Sequence, residues 1–227
     1  DTVVLGDGND TVQIATASDV TKDDVITGGA GTDTMDGGHG SDLYIMAASG
    51  DHATAEITDT GESGTDEVRF TSATANATLT LYAGDTGIEQ AVIGTGTSGA
   101  AVTTAKTALS INASALTYGL TLIGNAGANT LTGSNGADKL EGGAGNDTLV
   151  GGAGTDELRG GAGSDTLTGG TGADVFIFDT AANATTNKDT ITDFTSGTDR
   201  LQFSKSVFAG IRQCWCHRGT RWQVGSG

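Results

Sequence analysis

Residues Gly124–Ile177 run, in blocks of nine, GNAGANTLT, GSNGADKLE, GGAGNDTLV, GGAGTDELR, GGAGSDTLT and GGTGADVFI. Each block varies on Gly-Gly-x-Gly-x-Asp-x-Leu-x. A fixed period with fixed chemistry at each phase means one backbone shape, repeated and stacked. Glycine at phases 1, 2 and 4 admits backbone angles closed to other residues and marks a tight turn. Such a turn aims several carbonyl oxygens inward, and the Asp at phase 6 adds a carboxylate. Hard oxygen donors at this density suit Ca²⁺, which takes roughly 6–8 oxygens in flexible geometry. The apolar residue at phase 8 lies between two outward neighbours, the period-2 pattern of a short strand with one buried face. Each nonapeptide is therefore a turn plus a short strand, and two of them complete one coil of a flattened solenoid.

A coil of two nonapeptides predicts specific neighbours. One edge stacks Asp138, Asp156 and Asp174; the other stacks Asn129, Asp147 and Asp165. Calcium ions sit between successive turns, with the turns opened by Gly142, Gly151, Gly160 and Gly169 supplying further oxygens. The interior holds Leu131, Leu149 and Leu167 from one sheet, and Leu140, Leu158 and Phe176 from the other. One outer face shows Thr130/Thr132, Thr148/Val150 and Thr166/Thr168, a pattern that suits exposed strand positions and needs no further role. On the other face Lys139 stacks beside Glu157 and Glu141 beside Arg159, cross-strand pairs of about 0.2–1 kcal/mol each.

The same grammar opens the chain. Asp1–Val4 is the tail of a repeat, which suggests that the native sequence continued upstream. Leu5–Gln13 follows in phase, with Asp10 at the ligand position. After an interruption at 14–23, phase resumes with Asp24, then GGAGTDTMD (Gly28, Gly31, Asp33) and GGHGSDLYI (Gly37, Asp42). Asp24 and Asp42 should share one edge, with Asp33 on the other.

The expected organisation is an interrupted repeat array at 1–45, a Thr/Ala/Gly-rich β segment at 46–123, the main array at 124–177, a cap at 178–211 and a tail at 212–227. The middle segment lacks the Gly-rich turns but keeps strand-like runs at Val68–Phe70, Thr78–Tyr82, Glu89–Ile93, Leu109–Asn112 and Leu120–Ile123. It is either a solenoid continuing without calcium or a small inserted β-sandwich. Met46–Asp66 reads as loop or irregular coil.

The nonapeptide resembles the repeat of the RTX (repeats-in-toxin, hemolysin-type calcium-binding) family. Asp174–Ser204 is similar to the segment that closes the roll in such exoproteins, with D-x-I-x-D-F-x-x-G-x-D-x-L at Asp189, Ile191, Asp193, Phe194, Gly197, Asp199 and Leu201. The resemblance implies an all-β fold, a right-handed parallel β-roll with several Ca²⁺ in the GGxGxD turns, and two RTX arrays flanking the middle segment. It also implies type I secretion and an extracellular or cell-surface location. Asp189, Asp193 and Asp199 are candidates for a further ion, against a plain role in turns and solvation. The family's C-terminus normally carries a secretion signal poor in Cys and Arg. RQCWCHRGTRWQVGSG (Arg212–Gly227) departs from that, so Cys214 and Cys216 read as free thiols of an aberrant tail.

The 227 residues include 38 Gly and no Pro, with a formal net charge of -17. Such acidity argues against nucleic acid and anionic membrane surfaces as partners. Without calcium the stacked carboxylates repel, and Gly-rich turns bury too little apolar surface to offset chain entropy. Folding should therefore be coupled to ion binding, at the roughly millimolar calcium suited to weak extracellular sites. No H-E-x-x-H or G-x-S-x-G occurs, and His39, His52 and His217 are scattered. The 9- and 18-residue spacing of the Asp residues marks a ligand ladder rather than a catalytic carboxylate pair.

Two functions compete. One is a calcium-binding structural module of a secreted surface-layer or adhesin-type protein, partnered by calcium and by self-association into a lattice or a cell-surface partner. The other is the secretion and folding module of an RTX protease or lipase whose catalytic domain lies upstream.

Overall fold

A computed structural model of the chain describes residues 1–14, 22–61, 64–181, 183 and 185–208. The tail at 212–227, with both cysteines, lies outside the described residues. Every regular element among those described is a β-strand, and no helix is long and apolar enough to cross a membrane.

The strands form parallel sheets. A 10-stranded sheet is ordered β1 (Thr2–Val4), β3 (Val25–Thr27), β5 (Leu43–Met46), β6 (Glu67–Phe70), β8 (Gln90–Ile93), β10 (Thr121–Ile123), β12 (Lys139–Ala144), β14 (Glu157–Ala162), β16 (Val175–Phe178) and β18 (Arg200–Phe203). A 6-stranded sheet runs β7 (Thr78–Thr80), β9 (Ser110–Asn112), β11 (Thr130–Thr132), β13 (Thr148–Ala153), β15 (Thr166–Thr171) and β17 (Thr190–Ile191). A 2-stranded sheet pairs β2 (Thr11–Gln13) with β4 (Thr34–Asp36). A parallel bridge from Met35 to Ile57 extends it. The chain crosses from one sheet to the other at each turn, which is the path of a parallel β-roll.

Register follows the nonapeptide phases. Leu122, Leu140, Leu158, Phe176 and Leu201 align across the long sheet. Leu79, Ile111, Leu131, Leu149, Leu167 and Ile191 align across the second. Most of these side chains are fully buried, as the phase-8 pattern requires. Each contributes roughly 1.5–3 kcal/mol. From β11 to β15 the core is thin, one inward apolar residue per strand, whereas β5, β6 and β8 each bury two (Tyr44 and Met46, Val68 and Phe70, Ala91 and Ile93). Ordering of the Gly-rich turns must come from elsewhere.

The strand-like runs of the middle segment coincide with β6 to β10, and these strands share the two large sheets with the repeats on either side. Its coils are longer. Hydrogen-bonded neighbours lie 18 residues apart within the repeats but 24 apart from Asp42 to Asp66. Met46–Asp66 is more than loop, since Ile57 joins the sheet edge and Asp66 binds the preceding coil.

The outer faces differ from expectation in two ways. Lys139 and Glu157 are aligned across the sheet, as are Glu141 and Arg159. The ion pairs, however, form elsewhere: Lys139 Nζ lies 2.7 Å from Glu141 on its own strand, and Arg159 lies 3.0 Å from Asp179. Residues i and i+2 of a strand share a face, so the nearer partner wins. The Thr face is also longer than three rungs. Thr78, Ser110, Thr130, Thr148, Thr166 and Thr190 align in one column.

Truncating an interior rung should be costly. Leu149→Ala is expected to lower stability in saturating calcium by roughly 2–5 kcal/mol, while exposed Thr148→Ala should cost less than about 1 kcal/mol. Chemical denaturation followed by circular dichroism measures both.

Candidate metal centre

The turn aspartates form two ladders. On one edge the Asp138 amide donates to Asp156 Oδ1 at 2.8 Å, and the Asp156 amide to Asp174 Oδ1 at 3.0 Å. On the other, Asn129 donates to Asp147 Oδ1 at 2.7 Å and Asp147 to Asp165 Oδ1 at 2.8 Å. The N-terminal repeats behave alike: Asp24 donates to Asp42 Oδ1 at 2.8 Å and Asp10 to Asp33 Oδ1 at 3.0 Å. One carboxylate oxygen is thus tied to the preceding coil.

The other oxygen is left bare. Oδ2 of Asp33, Asp42, Asp147, Asp156, Asp165 and Asp174 is buried without a hydrogen-bond partner. It curls back over the first glycine of its own turn. A Cβ on Gly142 would lie 2.4 Å from Asp147 Oδ2, on Gly151 2.4 Å from Asp156 Oδ2, and on Gly160 2.2 Å from Asp165 Oδ2. Gly169 stands in the same relation to Asp174 at 2.3 Å, Gly37 to Asp42 at 2.3 Å and Gly28 to Asp33 at 2.5 Å. The phase-1 glycine therefore makes room for the carboxylate. The phase-4 glycine serves stacking: Gly31 (φ +147) sits over the Gly8 carbonyl, which a Cβ would meet at 1.7 Å.

Burial makes these carboxylates poor anions. It pushes Asp147 and Asp156 up to about 7 and Asp165 and Asp42 up to about 6, and raises Asp138 and Asp174. Neighbouring carboxylates add to this, Asp165 on Asp147 and Asp138 on Asp156. A buried anion with one bare oxygen calls for a cation. The donors are carboxylate oxygens set beside glycine-rich backbone, and an all-oxygen set fits calcium.

Several ladder positions depart from the pattern, Asp138 among them, whose Oδ2 accepts from the Ser134 amide at 2.6 Å and the Ser134 hydroxyl at 3.0 Å. Asn129 sits in its ladder, but its side chain is already used: Oδ1 accepts from Asn125 at 2.8 Å and Nδ2 donates to the Leu109 carbonyl at 3.0 Å. Asp10 is only half-buried and accepts from the Gly6 amide at 3.2 Å.

The cap carboxylates do not converge on one place. Asp189 Oδ1 accepts from the Asp165 amide at 3.1 Å and Asp199 Oδ1 from the Asp174 amide at 3.1 Å, so each prolongs a different ladder. Asp193 accepts from the Gly169 and Gly170 amides at 3.0 and 2.7 Å.

Sequence reading missed Asp66. Its Oδ1 accepts from the Asp42 amide at 2.7 Å, and its own amide donates to Glu89 at 2.8 Å. The signal was present: Gly61-Glu62-Ser63-Gly64-Thr65-Asp66 keeps Gly at phases 1 and 4 and Asp at phase 6. Gly64 (φ +112) lies against the Gly40 carbonyl, as a phase-4 glycine should. His52 was also undervalued. Its ring, fully buried, lies 2.8 Å from Asp85 and 3.4 Å from Glu56. Asp85 in turn accepts from the Glu56, Ile57 and Tyr82 amides. This network ties the irregular coil to the roll.

The roll and its bare carboxylates define a calcium-type solenoid module. The family model of the RTX calcium-binding nonapeptide repeat (4 copies) matches residues 20–44, 121–149 and 150–180. The chain therefore carries RTX calcium-binding repeats, which are structural units rather than catalytic ones. No curated protein matches the chain.

The raised values carry a pH signature. A carboxyl whose ordinary value is 3.8 and whose folded value is about 7 favours the fold only while protonated. In EDTA the residual fold should therefore be firmest below about pH 4 and weaken as pH rises through about 7. Saturating calcium should remove or reverse that trend. Thermal melts by circular dichroism across pH, with and without calcium, test it.

Proposed function

We propose that this chain is the calcium-responsive structural module of a secreted bacterial surface protein of surface-layer or adhesin type. In this reading it is exported unfolded by type I secretion and folds outside the cell on meeting calcium. The observation that carries the reading is the row of buried Asp Oδ2 atoms, each bare while its sister oxygen is fixed by the preceding coil. Residues Asp33, Asp42, Asp138, Asp147, Asp156, Asp165 and Asp174 hold the ions between turns, with Asp24, Asp189 and Asp199 extending the rows. Calcium neutralises the ladder and orders turns that have little apolar surface of their own. The structural role is supported by the parallel sheet that runs from β1 to β18, which suits a rod or lattice element rather than a site for small substrates.

Folding should depend on the ion. Above about pH 7 the β signal in circular dichroism is expected to be strong in millimolar calcium and lost in EDTA; an unchanged signal would overturn the reading. Because Asp199 prolongs the ladder, Asp174 has a carboxylate neighbour on both sides, just as Asp156 does. Asp138 faces only the Leu120 amide on its other side. Asp156→Ala and Asp174→Ala should therefore raise the calcium midpoint more than Asp138→Ala. Equal shifts in all three would contradict the stacking. Calcium-dependent assembly, followed by light scattering and electron microscopy, tests the lattice role, and a strictly monomeric product counts against it.

A further inference from the structure

Asp42, Asp59 and Asp66 differ from every other carboxylate group among the described residues. One oxygen from each lies within 4.8 Å of the other two. All three residues are more than nine-tenths buried. In the main array each turn contributes a single Asp, and no third carboxylate joins. Here Asp42 comes from a full repeat, Asp66 from the degenerate sequence motif that ends at it, and Asp59 from outside any such motif. We infer that Asp59 joins Asp42 and Asp66 to form a three-carboxylate calcium site at the junction between the first repeat array and the middle segment, where the row that includes Asp42 continues.

Two observations point to a ligand. Asp42 Oδ2 is buried and has no hydrogen-bond partner, while its Oδ1 is taken by the Asp24 amide. The bare oxygen lies over Gly37. The Gly37 amide donates to the Tyr44 hydroxyl at 2.8 Å, and that hydroxyl donates to Asp59 Oδ2 at 2.8 Å. Tyr44 stands at phase 8, where the main array carries Leu or Phe, so this repeat alone puts a polar group there to hold a third carboxylate. The spacing fits the ion. With Ca–O distances of 2.3–2.6 Å, oxygens on opposite sides of one Ca²⁺ lie at most about 4.6–5.2 Å apart. Burial, with mutual repulsion, also raises Asp42 and Asp59 and pushes Asp66 up to about 7. Three buried carboxylates at this range are costly without a cation.

The choice of ion rests on the calcium reading of the repeats, but the test separates the two. Native mass spectrometry of the full chain in calcium should find one ion fewer in Asp59→Asn than in the wild type, the other ions being retained. Asn removes the charge and keeps one acceptor oxygen for Tyr44, at the cost of the second acceptor that takes the Gly61 amide. In Tb³⁺, Tyr44→Phe should leave the ion count unchanged and lower the aromatic-sensitised emission, because the phenol adjoins the site. An Asp59→Asn chain with the wild-type count overturns this site and leaves the repeats untouched. A wild-type chain that binds no calcium overturns both. Should Asp59→Asn fail to fold, Tyr44→Phe decides: reduced Tb³⁺ emission supports the site and unchanged emission overturns it.

Discussion

The structure depends on one arrangement: a buried aspartate whose two oxygens do different things. Oδ1 is fixed by the amide of the ligand position one coil earlier, and Oδ2 is buried and bare. The first bond sets the distance and register between coils. The second oxygen leaves a negative charge in a low-dielectric place, which is tolerable only with a proton or a cation. Coil stacking and ion demand are therefore properties of the same side chain. The glycines follow from it, because any Cβ at phase 1 would strike the carboxylate.

The apolar core plays the complementary part. In the main array one inward apolar residue per strand gives two straight columns, mostly Leu, that keep the sheets together. Such a core specifies which face is inside but cannot by itself order the long glycine turns. Where the turns lose their aspartates, other polar groups take over. His52, Glu56 and Asp85 form a buried network in the middle segment, and Arg69 donates to the Gly96 and Gly99 carbonyls at 3.1 and 2.8 Å. The same sheets therefore pass through segments of unlike sequence, one kind ordered by ion-demanding turns and the other by internal polar contacts.

Much of this was legible in the residues. The nonapeptide phases determined which side chains point inward and which aspartates stack, because a repeat of fixed length on a period-2 strand leaves no freedom in either. Leu131 over Leu149 and Asp138 over Asp156 are consequences of counting. The surface charge partners were not countable in this way. Lys139 could reach Glu157 or Glu141, and side-chain reach along its own strand decided for Glu141.

What only the tertiary structure decided lies where the period breaks. From Asp42 to Asp66 the coil takes 24 residues, so counting by eighteen loses the register and Asp66 looks like a loop residue. Hydrogen bonding between coils restores the register, since strands of the same sheet must pair whatever the length of chain between them. That pairing also brings Asp59 beside Asp42, two residues that no sequence spacing connects. By itself the sequence determined the fold class, the interior and the ligand ladders, because each is a local pattern repeated. The tertiary structure alone decided how the irregular coils join those ladders, because their variable lengths are reconciled only by packing against the next coil.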